Sequence, residues 1–184
     1  MAANDPDNMA RILAISGSLR AASSNASALQ AMRLVAPAGI DVVLYTGLAA
    51  LPPFNPDLDT DTPPEPVQAL RREIGLCDGL LISSPEYAHG VPGMLKNALD
   101  WLVGSLEFGG TPVALIGTSP HSVHAPAQLR EILSVMSARL IEPASITLDM
   151  PRRDMDAAAI AADPALSAQL RAALERLVEA IRAC

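Results

Sequence analysis

Arg20 stands in a run of small, hydroxyl-rich residues, Ser16-Gly17-Ser18-Leu19-Arg20-Ala21-Ala22-Ser23-Ser24-Asn25, directly after the apolar run Ile12-Leu13-Ala14-Ile15. These residue types suit a phosphate. A guanidinium carries a fixed charge and a donor fork that matches phosphate oxygens. Ser18, Ser23, Ser24 and Asn25 add neutral donors. With a strand leading in and a helix leading out, the helix N-terminus contributes backbone N–H groups and a favourable dipole. The GxxxxGK and GxGxxG patterns are absent, because Gly17 is the one glycine here. The loop therefore suits a mononucleotide better than a dinucleotide. The competing reading is a serine-rich turn that caps the helix through Asn25 or Ser24.

A second group is Pro85-Glu86-Tyr87-Ala88. Proline sets the turn and directs backbone polar groups outward, where they can meet the edge of a flat heterocycle. Tyr87 can lie against a ring face or rim. Glu86 is either a general acid–base group or an acceptor that orders its own loop, the commoner use of a lone glutamate. His121 and His124 have no Asp, Glu or Cys beside them in their loop and fall short of a metal set; the plainer expectation is loop histidines near a ligand. No G-x-S-x-G elbow supports hydrolysis. Cys77 and Cys184 are far apart, without metal spacing, and read as reduced thiols.

The 184 residues favour a single domain, and 50% hydrophobic content allows a sizeable core. With 13 Lys+Arg against 20 Asp+Glu and a net charge of −7, nucleic acid and anionic membranes are poor partners. Arg20 in such a chain looks like a local device for one small anion. The N-terminal MAANDPDNMA lacks the features of a signal peptide, no apolar run is long enough to span a membrane, and the expected location is cytoplasmic. Residues 1–9 are expected to form a flexible tail before one domain over 10–184.

Those loops need elements to hold them. The apolar patterning predicts strands at 11–16, 40–45, 79–83, 112–117 and 140–148. Helices are predicted at 25–36, 65–76, 92–103, 125–138 and from Pro164, capped by Asp163, to about 182. Between them, 46–64 is a loop with five prolines, either a functional cover or arm, or a stiffened surface connection. The 92–103 helix is apolar on more than one face and needs burial by something beyond its sheet. A subunit interface is the natural candidate, and the 46–64 loop is the alternative. Five β–α units imply a five-stranded parallel sheet in a three-layer sandwich. Order 2-1-3-4-5, flavodoxin-like, fits best and places the loops 16–24, 84–90 and 117–124 together.

Gly17-Ser18-Leu19-Arg20-Ala21-Ala22-Ser23-Ser24-Asn25 resembles the GSLRxxSxN pattern of the NADPH-dependent FMN reductase family, which includes quinone, chromate and azo reductases. The run from Pro85-Glu86-Tyr87-Ala88 to Lys96-Asn97-Ala98-Leu99-Asp100-Trp101-Leu102 resembles that family's PEYNxxxPGxLKNAxDWL. The resemblance implies an FMN-dependent NAD(P)H oxidoreductase passing hydride through flavin to a quinone, azo compound, metal oxyanion or free flavin. NADPH or NADH is the implied co-substrate. It carries Ser18, Arg20, Ser23 and Asn25 to the FMN phosphate and Pro85, Glu86, Tyr87 and Ala88 to the flavin ring. Gly117, Thr118 and Ser119 go to the third loop. Ala88 replaces the usual Asn and is expected to remove one polar contact near the flavin, and the third loop lacks the usual glycines. No side chain is expected to be an indispensable acid or base, because the cofactor carries the chemistry. A homodimer or homotetramer through the Met94–Leu102 helix is the implied assembly. The alternative function is an FMN-binding electron carrier that needs a partner reductase.

Overall fold

A computed structural model describes residues 9–152 and 154–183. The tail expected over 1–9 falls outside the described residues except for Met9, as does Cys184. The chain runs β1 (Ala10–Ser16), α1 (Ser24–Val35), β2 (Ile40–Tyr45), α2 (Glu65–Gly75), β3 (Gly79–Ser83), α3 (Gly93–Leu102), β4 (Pro112–Gly117), α4 (His124–Val135), β5 (Arg139–Leu140), β6 (Ile146–Thr147), α5 (Ala157–Ala162) and α6 (Pro164–Arg182). The strands are parallel in order β2-β1-β3-β4-β5, with β6 also beside β4.

The middles of the central strands are continuous apolar runs because both faces are covered. Alternate residues still go to opposite layers. Ile12, Ala14 and Leu81 join the core beneath α1, α5 and α6. Leu13, Ile15, Leu80 and Ile82 join the core beneath α2, α3 and α4.

The fifth strand differs from expectation. In place of one strand over 140–148, β5 and β6 are separated by a 3₁₀ turn, Glu142–Ala144. Pro143 lies in that turn and has no N–H to give the ladder. The two pieces pair with opposite ends of β4, Val113 with Leu140 and Ile116 with Ile146. The sequence pattern also misses α5, whose AAAIAA has only Ile160 as a large inward residue. Asp163 caps α6 as expected, accepting from the N–H groups of Ala165 and Leu166.

The segment between β2 and α2 covers α3. The Trp101 indole N–H donates to the Pro52 carbonyl at 2.8 Å. Phe54 meets the Trp101 ring edge-on at 5.0 Å. Arg71 joins Asp59 (2.7 Å) to the Trp101 carbonyl (2.7 Å), anchoring the same segment at the end of α3. The second face of α3 is therefore buried by its own chain, the alternative reading of its excess apolar character.

Candidate functional site

The first loop leaves β1 through Gly17, whose N–H donates to the Ser83 carbonyl at 2.8 Å. A Cβ at Gly17 would stand 2.9 Å from Leu95 Cδ2 and 3.2 Å from Ser84 Oγ, so the close approach requires glycine. The helix cap is Ser23, not Ser24 or Asn25. Its Oγ accepts from the Ala26 N–H at 3.4 Å and its carbonyl from Ser27 at 2.8 Å. The backbone N–H groups of Ser24 and Asn25 have no partner among the described residues, the usual state of a helix's first turn. Arg20 is exposed, and its guanidinium makes no hydrogen bond or ion pair among the described residues. Its backbone N–H donates to Ser18 Oγ at 3.3 Å.

These groups line one hollow with Pro85 and Tyr87. Its far wall was not foreseen. The start of α5 brings in Asp154 and Asp156. Asp156 is engaged as a cap, accepting from the Ala159 N–H at 2.8 Å. The sequence signal for it was an Asp before a short alanine run.

Asn25 is 5% exposed and works as a strut. Ser83 Oγ, itself fully buried, donates to Asn25 Oδ1 at 2.9 Å and lies 2.7 Å from the Ile116 carbonyl. Thr118 Oγ1 reaches the same Oδ1 at 3.4 Å. The side chain thus ties α1 to the ends of β3 and β4. Its backbone N–H and amide nitrogen are the donors left over.

The second loop folds back on itself. Tyr87 and Gly90 exchange two backbone hydrogen bonds, at 3.1 and 2.9 Å. Ala88 and His89 between them have φ of +48° and +60°. This is the two-residue hairpin turn that favours Asn followed by Gly, because both positions are left-handed. Ala88 lines neither hollow of the site. An Asn there would suit the turn.

Glu86 does not order its own loop. Its Oε2 accepts from the backbone N–H groups of His124 (2.7 Å) and Ala125 (3.0 Å). The residue before α4 is Val123, which has no side-chain acceptor, so Glu86 caps α4 from 38 residues away. The Ala125 and His124 N–H groups, with the two nearby imidazoles, hold its carboxyl below the usual glutamate range against the opposing effect of desolvation.

The third loop supplies Gly117, Thr118 and Ser119. A Cβ at Gly117 would meet Thr147 Oγ1 at 2.8 Å, so packing against β6 explains the glycine. Ser119 Oγ accepts the His121 N–H at 3.3 Å. His121 lines a second hollow with Glu86, Ser84, Thr118 and Ser119. His124 instead stacks on His89, ring centroids 4.3 Å apart. His89 was not singled out in the sequence, because only the hairpin turn brings it to α4.

The two hollows share Ser24, Asn25 and Pro85 and form one cleft of about 580 and 330 Å³ at the carboxyl ends of the strands. That size fits a small cofactor. Of the predicted residues, all but Ala88 line it.

The profile described as NADPH-dependent FMN reductase matches residues 10–150. A 2-hydroxy-1,4-benzoquinone reductase from a Burkholderia species is 33% identical over 153 residues, covering 80% of this chain and 82% of the relative. An NAD(P)H-dependent FMN reductase from Pseudomonas aeruginosa is 32% identical over 152 residues, with 80% and 82% coverage. Among solved structures, the flavoenzyme NAD(P)H:(acceptor) oxidoreductase FerB from Paracoccus denitrificans superposes with a TM-score of 0.71 at 29% identity, covering 93% of this chain and 98% of that one.

Proposed function

This chain belongs to the NADPH-dependent FMN reductase family, and on that premise we propose how its own residues serve the reaction. It is an FMN-dependent NAD(P)H oxidoreductase with a flavodoxin-like fold. Bound FMN supplies a two-electron carrier that accepts hydride from a reduced nicotinamide and delivers it to an acceptor. The remaining tasks belong to the polypeptide.

The observation that carries the site assignment is the start of α1. Two N–H groups, of Ser24 and Asn25, and the Arg20 guanidinium have no partner among the described residues and line the same hollow. Such a set fits a phosphate dianion. Ser18 orders the Arg20 backbone and adds a hydroxyl. Ser23 shapes the helix start and acts through the N–H groups it leaves clear. Asp156 lies across the same hollow as a cap, and its charge limits how strongly the hollow draws anions in general.

Pro85 lies at the junction of the two hollows, where a ring joined to that phosphate would pass. Tyr87, 56% exposed, stands at the mouth as an aromatic edge. Thr118 and Ser119 offer hydroxyls on the opposite wall, and Gly117 keeps that wall close to β6. Glu86, committed to the α4 amides, is a positioning group that joins the second and third loops, so no proton transfer is assigned to it.

The acceptor class we propose is a quinone or similar small oxidant. The curated relatives include quinone reductases, among them one from Escherichia coli that is 35% identical over 138 residues. Cytoplasmic placement and homo-oligomer assembly are part of the same proposal. With the outer face of α3 covered by the Pro52–Phe54 segment, the exposed apolar residues near it include Phe54 itself and, just beyond its C-terminus, Val103 and Leu106. No helix among the described residues is long and apolar enough to cross a membrane.

The test is optical. Protein mixed with FMN and desalted should retain the flavin band, and anaerobic NADPH or NADH should bleach it, with colour restored by a quinone. Retained flavin that neither nucleotide bleaches would point to an electron carrier dependent on a partner reductase.

A further inference from the structure

We propose that Glu86, His89 and His124 form a binding site for one divalent cation of the zinc or nickel type at the rim of the cleft. The inference does not depend on the flavin reading. The fold draws one ligand atom from each of these residues to within 4.8 Å of the others. Two imidazoles and a carboxylate are a known zinc set, and they leave a further coordination position for water or an anionic oxygen. Imidazole nitrogen favours zinc, nickel and copper over magnesium or calcium, which prefer oxygen ligands.

Glu86 is already prepared for the role. Its Oε2 is held by two backbone N–H groups, while its Oε1 accepts no hydrogen bond among the described residues. Hydrogen bonds that fix a ligating carboxylate are the usual support of a metal site. The two histidines are exposed and stacked, rings inclined by 19°. Four-coordinate zinc needs ligand atoms roughly 3.4 Å apart, from bond lengths of about 2.0–2.2 Å. The stacked rings would have to turn out of their stack about their side-chain torsions for their nitrogens to meet one ion with Glu86, and both are exposed and free to do so.

A second observation is independent of the cluster. His89 occupies the second left-handed position of the Tyr87–Gly90 turn, at φ +60°, where glycine fits with least strain. Histidine tolerates this left-handed region better than most residues, and the turn sets its ring against His124. Gln128 of α4 grips the turn on both sides of Gly90, donating to the His89 carbonyl (3.1 Å) and accepting from the Val91 N–H (3.2 Å). His89 and His124 are therefore carried by one rigid unit.

The experiment is calorimetric titration of chelator-stripped protein, with and without added FMN, with ZnCl₂, NiCl₂ and MgCl₂, paired with thermal unfolding in the same salts. Zinc and nickel should bind one to one and raise the Tm, and magnesium should do neither. His89→Gly relaxes the turn and so keeps the fold. It and His124→Ala should each weaken zinc binding more than about tenfold, as loss of a ligand must exceed loss of a supporting group. His121→Ala, which lies outside the cluster, should bind zinc like the parent. Absence of zinc binding in the parent, or parental affinity in either His89→Gly or His124→Ala, would overturn the proposal.

Discussion

The indole N–H of Trp101 donates to the carbonyl of Pro52 at 2.8 Å, and the same carbonyl accepts from Asn97 Nδ2 at 2.9 Å. Asn97 Oδ1 completes the grip by accepting the Phe54 N–H at 2.7 Å. One carboxamide thus holds the backbone on both sides of Pro53. Asn97→Ala removes two hydrogen bonds and should lower stability by about 1–3 kcal/mol. Trp101 is the one tryptophan. Its fluorescence should shift to the red in the variant as the cover loosens, and a urea titration would read both effects.

Arg20 and Ser23 should separate cleanly. Arg20→Ala removes a charged donor from an exposed loop, so FMN affinity should fall by about 1.5–3 kcal/mol with little change in stability. Ser23→Ala removes the cap of α1 and should cost about 1 kcal/mol in stability. Flavin-fluorescence titration and urea unfolding of both variants provide the check. Unchanged flavin affinity in Arg20→Ala would move the phosphate elsewhere.

Ala88→Asn should stabilise the protein by up to about 1 kcal/mol, because Asn tolerates the left-handed conformation better than Ala. FMN affinity should stay as in the parent, since Ala88 lines neither hollow. A tighter flavin with unchanged urea midpoint would mean that position 88 does touch the cofactor.

Glu86 links stability to acid. Its carboxyl is held below its ordinary value in the folded state, chiefly by the Ala125 N–H. The folded state therefore binds that proton less readily than the unfolded chain. Its contribution is full above the ordinary glutamate value and disappears as pH falls through the lowered one. Glu86→Gln should be less stable near neutrality and should lose less stability on acidification through that window. Urea midpoints measured at a series of pH values would show it.

Cys77 should be a poor nucleophile. Burial pushes its thiol up to about 11, and Sγ donates to the Ile74 carbonyl at 3.1 Å. In a Cys184→Ser background, alkylation by iodoacetamide near neutral pH should be slow until the protein is unfolded. Fast labelling of the folded protein would show that the α2 end opens.

The sequence by itself determined the alternation of strands and helices and the contiguous loop proposed for the phosphate, and both are local properties; the sheet order followed from them only through the general rules for parallel β–α units. Buried strands read as continuous apolar runs, and Ser18, Arg20 and the α1 start are contiguous in the chain, so spacing alone brought them together. Tertiary structure decided the rest because it joins distant groups through turns that composition does not announce. Pro143 broke the fifth strand by withholding an N–H from the ladder. The covering of α3 depended on Pro52 meeting Asn97 and Trp101, more than 40 residues away. Glu86 looked like a site residue of its own loop. It became the cap of α4 only because β3 and β4 are neighbours and Val123 lacks an acceptor. His89 carried no signal at all until a left-handed turn placed its ring on His124.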